Sequence, residues 1–335
     1  MGRSLVEFVT LKRGDIAIPD RTWHGAAMDL ALGTMNFGGR TPRAEAERIL
    51  QRAIERGITR IDTANLYENG ESERIVGKAL GAKRESVHLA TKVGALRIAG
   101  KPEGLGKARV LASLDESLSR LGTSYVDLFF LHVPDPTVTA AETVEALAHA
   151  FEAKKIRSWG VSNHASWQIL ELALEASRVG LPPPARAQQL YNVLVRQLEV
   201  EYFAFAAKYG LRTEVYNPLA GGLLTEKHTR VDADKKGSRF FKNGLYERRY
   251  WSPAFFDRRD ELAELGAARG LSTATLAYRF LCERTGVDGV VLGPSTVEHL
   301  DHGIDALSES LDPETSTTIE KMHLAWMGTD ARYAR

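Results

Sequence analysis

The chain has 335 residues with 44 basic and 43 acidic side chains, a net charge of +1 and 44% hydrophobic residues, a length that fits one or two globular domains. So even a balance gives no field for nucleic acid or anionic lipid; no basic stretch is interleaved with aromatics, and no segment has the apolar length of a membrane span. The single cysteine, Cys282, excludes a disulfide framework and a Cys-ligated zinc site, and the N-terminus has no signal-peptide core, so a cytoplasmic protein with small-molecule partners is expected.

Residues 1–27 read as an N-terminal extension, with a small hairpin expected over 8 to 23. From residue 28 short β-rich runs alternate with segments of helical period, the pattern of parallel strands joined by crossover helices. Eight strands are predicted, near 28 to 34, 58 to 63, 87 to 92, 126 to 132, 157 to 162, 186 to 191, 212 to 217 and 289 to 293. The first crossover puts Ala46, Ile49, Leu50, Ala53 and Ile54 on one helical face. Pro182-Pro183-Pro184 stiffens the approach to the sixth strand. Residues 225 to 255, rich in Lys, Arg and aromatics, are expected to form a long loop of the kind that serves as a lid or binding segment. Eight βα units point to an α/β protein, a single-domain (β/α)8 TIM barrel over 28–335. The chain has no Gly-x-Gly-x-x-Gly turn, which argues against a Rossmann domain.

A barrel builds its active site at the C-terminal ends of its strands. Asp62, Lys92 and His132 close the second, third and fourth apolar runs, and Tyr67 follows the second. A free tyrosine has a pKa of about 10 and would have to fall by roughly 3 units, about 4 kcal/mol, to titrate near neutrality. One ammonium about 4 Å away at an effective dielectric of about 20 supplies about 4 kcal/mol. Lys92 is therefore expected to lower the Tyr67 pKa, with Asp62 holding the lysine charged and His132 orienting a carbonyl oxygen or sharing the proton. Taken singly, Asp62 and Lys92 read equally well as a structural ion pair, His132 as a strand-end hydrogen-bonding residue and Tyr67 as a loop aromatic. Four suitable types at three consecutive strand ends instead suit hydride addition to a carbonyl, where a developing alkoxide needs a proton.

These residues, with Gly57-Ile58-Thr59-Arg60-Ile61-Asp62-Thr63-Ala64 and Gly70-Glu71-Ser72-Glu73 followed by Gly77-Lys78-Ala79-Leu80, resemble the aldo-keto reductases. Tyr216-Asn217-Pro218-Leu219-Ala220-Gly221-Gly222-Leu223-Leu224-Thr225, Gly237-Ser238-Arg239-Phe240-Phe241 and Arg249-Tyr250-Trp251 are similar to the aflatoxin aldehyde reductase subfamily in particular. The resemblance runs from about residue 28 to the C-terminus. It implies an NADPH-dependent carbonyl reductase with Tyr67 as proton donor, Asp62 and Lys92 lowering its pKa, and His132 facing the substrate carbonyl. It carries cofactor contacts onto Asp62, Ser162, Asn163 and Gln188, with the Tyr216 ring stacked on the nicotinamide. Further contacts fall on Asn217, Pro218, Leu219, Ala220, Gly221, Gly222, Leu223, Leu224 and Lys227. Arg239, Ser295, Thr296, His299 and Gly303 complete the cofactor set. Substrate contacts fall on Tyr246, Arg249 and the terminal Arg335, and they extend to a carboxylate where the substrate has one.

The physical logic stands beside the resemblance. Gly221-Gly222 permits close backbone approach to a pyrophosphate, and Ser295-Thr296 opening a helix offers unpaired N–H groups to a phosphate. The chain departs from the subfamily at His299 and Gly303, which stand where it has Gln and Asn, and adenosine binding is expected to be reshaped there. Trp251 is expected near the substrate, and the subfamily suggests a homodimer. Two other classes compete. One is an NADPH-binding sensor resembling the potassium-channel β subunits, with little turnover; the other is a metal-dependent barrel hydrolase, for which only Asp62 and His132 stand out as ligands.

Overall fold

The computed structural model describes residues 28–231 and 238–329; the hairpin expected over 8 to 23, Gly237 and Arg335 lie outside the described residues. Strands β1 (Asp29–Gly33), β2 (Arg60–Asp62), β3 (His88–Val93), β6 (Leu128–Leu131), β7 (Trp159–Ser162), β8 (Arg186–Leu190), β9 (Arg212–Tyr216) and β10 (Gly289–Leu292) close a barrel in that order. All eight ladders are parallel. The strands match the sequence expectation to within one or two residues at each end. A short antiparallel pair, β4 (Arg97–Ile98) with β5 (Lys101–Pro102), stands apart from the barrel after β3.

The crossovers are α1 (Arg43–Glu55), α2 (Glu71–Leu80), α3 (Lys107–Leu121), α4 (Ala140–Glu152), α5 (Ser166–Arg178) and α6 (Tyr202–Lys208). After β9 come α7 (Gly244–Tyr250), α8 (Pro253–Ala268) and α9 (Thr273–Cys282), then α10 (Val297–Ala306) and α11 (Pro313–Met327) after β10. In α1, Ala46, Ile49, Leu50 and Ala53 are buried against the barrel, while Ile54 at the edge of that face is half-buried. Side-chain caps start several helices: Ser252, Ser272, Thr296 and Asp312 accept the N3 amide of α8, α9, α10 and α11, each worth about 1 kcal/mol. The segment expected as one long loop, 225 to 255, instead contains α7 and the first turn of α8. Asn243 caps the former and Pro253 sits in the first turn of the latter, local signals that the richness in Lys and Arg obscured. No helix among the described residues is long and apolar enough to cross a membrane.

Register decides what meets at each end of the barrel. Gly33 pairs with Asp62, Asp62 with Ala90, Lys92 with Phe130, and Ser162 with Gln188, so the strand C-termini form one mouth. At the opposite end, residues that open strands form an ion cluster. Asp29 of β1 takes Arg186 of β8, Arg60 of β2 at 3.4 Å and Arg212 of β9 at 3.7 Å.

Candidate active site at the barrel mouth

The four strand-end residues converge. Lys92, fully buried in β3, donates from Nζ to Asp62 Oδ1, to the Thr63 carbonyl at 2.9 Å and to the Tyr67 hydroxyl at 3.2 Å. The second Asp62 oxygen accepts from Gln188 Nε2 at 2.9 Å. The His132 ring stands edge-on to Tyr67, 5.8 Å between centroids. Thr34, Thr63 and Ser72 brace the β2 end from behind through hydroxyl contacts of 2.7 and 3.0 Å. Asn163, in a left-handed conformation (φ 62°), donates to the His132 carbonyl at 2.9 Å and accepts the Tyr216 hydroxyl at 2.5 Å. One amide therefore ties the ends of β6, β7 and β9 together.

The electrostatics correct the sequence expectation in two respects, at Tyr67 and at His132. Burial pushes the Tyr67 phenol up to about 12, and the pull of Lys92 only partly offsets it because Asp62 lies beside the ammonium. Burial also works against the Lys92 charge, but Asp62 and Tyr67 outweigh it and hold the lysine above its ordinary value. For Asp62, burial raises the carboxyl against the opposing pull of Lys92. His132 is pushed down to about 3 by burial and by the Lys92 charge. Near pH 7 it is a neutral imidazole, so it has no imidazolium proton to share.

A cavity of about 1610 Å³ opens from this floor, larger than the roughly 300–1,000 Å³ of ordinary small-ligand pockets. Its floor includes Asp62, Tyr67, His132, Ser162, Asn163 and Gln188, with Tyr216 on the wall. The wall continues through Asn217, Pro218, Leu219, Gly221, Gly222 and Lys227 to Ser295, Thr296 and His299. Arg239, Tyr246 and Arg249 border it from the α7 side. Gly221 has φ 71°, and a Cβ there would come within 2.7 Å of the Tyr246 ring, so a glycine is required where the β9 loop passes under α7.

Among the described residues, Arg40, Arg239, Arg249 and Lys227 on this wall make no ion pair with a carboxylate, although Glu68 also lines the cavity and acts on Arg40 electrostatically. Arg40 and Arg239 both donate to Asn36 Oδ1, the latter at 3.2 Å, and Arg239 also donates to Asn217 Oδ1 at 3.1 Å. Burial and the neighbouring Arg239 push Arg40 down to about 10. Arg239 and Arg249 lie 5.3 and 5.9 Å from the centre of the Tyr246 ring. Lys227 donates to His299 Nε2 at 3.2 Å, which leaves the other ring nitrogen of His299 as donor to Ser295 Oγ at 3.0 Å. Among the described residues, the buried Asn217 Nδ2 finds no hydrogen-bond partner. An elongated polyanionic ligand with an amide-bearing end fits this surface, which is the chemistry of a nicotinamide dinucleotide.

The aldo/keto reductase family model matches residues 29–323. The chain belongs to the aldo/keto reductase family. Human aflatoxin B1 aldehyde reductase member 2 is 34% identical over 312 residues, covering 88% of this chain and 85% of that protein. Human aldo-keto reductase family 7 member A3 is 32% identical over 309 residues, 88% and 92% of the two chains. The uncharacterized oxidoreductase YrpG of Bacillus subtilis is 33% identical over 301 residues, 85% and 89%. As an aldo/keto reductase, the protein is an oxidoreductase that interconverts carbonyls and alcohols.

Several residues carried over from the resemblance do not face the cavity of this reductase. The side chains of Ala220, Leu223 and Leu224 are fully buried in the core. Gly303 lies under α10, where a Cβ would stand 3.1 Å from Leu292 and 3.4 Å from the Tyr278 hydroxyl. Tyr278 itself lines the cavity, so its ring occupies the space next to the residue-303 position. Lys92 does not line the cavity, but its ammonium donates to the Tyr67 hydroxyl, and Tyr67 does line it. Trp251, half-buried, packs on Phe240 at 4.8 Å and Phe256 at 4.9 Å and does not line the cavity. Sequence reasoning missed Arg40, whose one local signal was its place after Gly38-Gly39 at the end of β1. Among the described residues no three His, Cys, Asp or Glu side chains are grouped to hold a metal ion.

Proposed function

We propose that the protein reduces an aldehyde or ketone to the alcohol with NADPH, Tyr67 giving the proton. The observation that carries this reading is the Tyr67 hydroxyl 3.2 Å from a lysine that is itself locked to Asp62 on the floor of the cavity. When bound, the reduced nicotinamide supplies a hydride from its C4 to the carbonyl carbon. Tyr67, with a pKa of about 12, keeps its proton at working pH. An alkoxide whose conjugate acid is about as weak as water, near 15.7, takes that proton downhill. Lys92 then stands next to the tyrosinate oxygen and balances its charge, and neutral His132 hydrogen-bonds the carbonyl oxygen and fixes its direction.

Support for the phosphorylated cofactor comes from the far end of the cavity, where Lys227, His299 and the Ser295 hydroxyl cluster at the start of α10. Arg40 and Arg239 suit a pyrophosphate between the two ends, and the acceptor oxygen of Gln188, with Ser162 and Asn163, suits the carboxamide. That aldehyde reductases are among its relatives supports a carbonyl substrate. Arg249 and Tyr246 offer a carboxylate subsite, which favours acidic carbonyls such as a semialdehyde.

The test is loss of NADPH absorbance with a panel of aldehydes and ketones, wild type against Tyr67→Phe, with cofactor binding of both followed by fluorescence. A fall of about 10² or more in kcat with unchanged NADPH binding is expected. Equal rates in the two proteins would remove Tyr67 from the role, and tight binding without turnover in either would support the sensor reading.

A further inference from the structure

The catalytic floor continues downward through the barrel. Gln188 Nε2 has two hydrogens; one goes to Asp62 Oδ2 at 2.9 Å and the other to Glu214 Oε1 at 2.8 Å. Glu214, in the middle of β9 and fully buried, meets Arg60 Nη1 at 2.5 Å through its other oxygen. Arg60 in turn reaches Asp29 at the base. A run of paired charges therefore threads the lumen: Asp29, Arg60, Glu214, the Gln188 amide, Asp62, Lys92 and the Tyr67 hydroxyl. Register makes it, since Gln188 and Glu214 are Cα partners in adjacent strands.

We infer that Glu214 is a positioning residue of the reductase site, pinning Asp62 through Gln188 and setting with its charge how firmly Tyr67 holds its proton. This rests on the reading of Tyr67 as proton donor. The amide orientation is determined by the neighbours: with carboxylates on both sides, the Gln188 nitrogen is held between them and its oxygen is left for the cavity. Lys92 Nζ in turn has a fixed partner in Asp62 Oδ1, since the other Asp62 oxygen is already engaged.

The charge argument follows from burial. Around Glu214 stand Arg60 and Asp62 from β2, Arg186 from β8, His88 from β3 and Asp29 from β1. Around Tyr67 stand Lys92, Asp62, His132 and the Tyr246 hydroxyl. Burial works against the Glu214 charge, yet Arg60 and Arg186 hold its carboxyl below the ordinary value. It remains an anion, and an anion in a lumen of low polarity is felt across the barrel. Neutralising it leaves a surplus positive charge below the Asp62–Lys92 pair, which makes the Tyr67 phenol easier to ionise.

The experiment is ultraviolet difference titration of tyrosinate, each protein measured against its own Tyr67→Phe counterpart so that Tyr67 alone is read. Glu214→Gln keeps an acceptor for Gln188 and removes the charge; the Tyr67 midpoint should fall by about one unit, roughly tenfold more tyrosinate at about pH 10.5. Arg60→Met should move it the opposite way, and the Glu214→Gln/Arg60→Met pair, neutral overall, should return it close to wild type. A lowered melting temperature with an unmoved midpoint would make Glu214 a structural residue only and overturn the inference. If Glu214→Gln does not fold, the Arg60→Met arm decides, and a midpoint unchanged or lowered there overturns it. The titration needs no turnover, so failure of the reductase reading shows separately, as absent NADPH oxidation by the wild type.

Discussion

The two ends of the barrel use the same residue types to opposite ends. At the base, Arg60, Arg186 and Arg212 gather on Asp29, and Arg60 is also in contact with Glu214. At the mouth, Arg40 and Arg239 share one neutral amide oxygen, and Lys227 leans on a histidine. At the base each of the three guanidiniums has a carboxylate within 4 Å, Asp29 or Glu214. At the mouth Arg40, Arg239 and Lys227 make no carboxylate ion pair among the described residues, and the repulsion between Arg40 and Arg239 is what an anionic ligand would relieve.

The difference can be broken most heavily from below. Asp29→Leu strips three guanidiniums of their common partner. Because Asp29 retains 26% side-chain exposure, the loss should be below the about 3–5 kcal/mol of a fully buried pair, about 2–3 kcal/mol by denaturant unfolding. Arg239→Met acts from above and should show the reverse pattern: NADPH affinity weaker by about tenfold to a hundredfold in fluorescence titration, with the melting temperature unchanged or raised. Unaltered affinity with a lowered melting temperature would make Arg239 one more structural charge.

The smallest effect concerns His132. Its folded pKa is depressed to about 3 and its unfolded value is about 6.5. Between those values the unfolded chain binds more protons, so the full contribution is present above about pH 6.5 and is lost as pH falls. From pH 7 to 5 the wild type should lose about 1–2 kcal/mol that a His132→Gln variant keeps. Parallel pH–stability curves for the two proteins would place the acid sensitivity elsewhere.

The tetrad was legible because Asp62, Lys92 and His132 each end an apolar run, and a closed barrel brings such ends together. Glu214 was not legible. In Arg212-Thr213-Glu214-Val215 it looks like a solvated position of an alternating strand, and only barrel closure turns that position into the lumen toward Gln188 and Arg60. The Tyr67 pKa lies opposite to the expectation because burial of the phenol and the negative charge of Asp62 outweigh the pull of Lys92. α7 was hidden inside a Lys- and Arg-rich run that composition reads as loop, although Asn243 is a recognisable cap.

Asn163 joins three strand ends through one side chain, and Gln188 joins two carboxylates. Positions wired in this way cannot drift one at a time, because a change at Tyr216 or Glu214 is felt at His132 or Asp62. The rim is not wired. Leu66 and Leu245 line the cavity, are exposed and carry no polar side-chain group that could join the hydrogen bonds of the floor. Substitutions at Leu66 and Leu245 are therefore expected to leave the hydrogen bonds of the floor in place, whereas a substitution at Asn163 or Gln188 disturbs several strand ends at once.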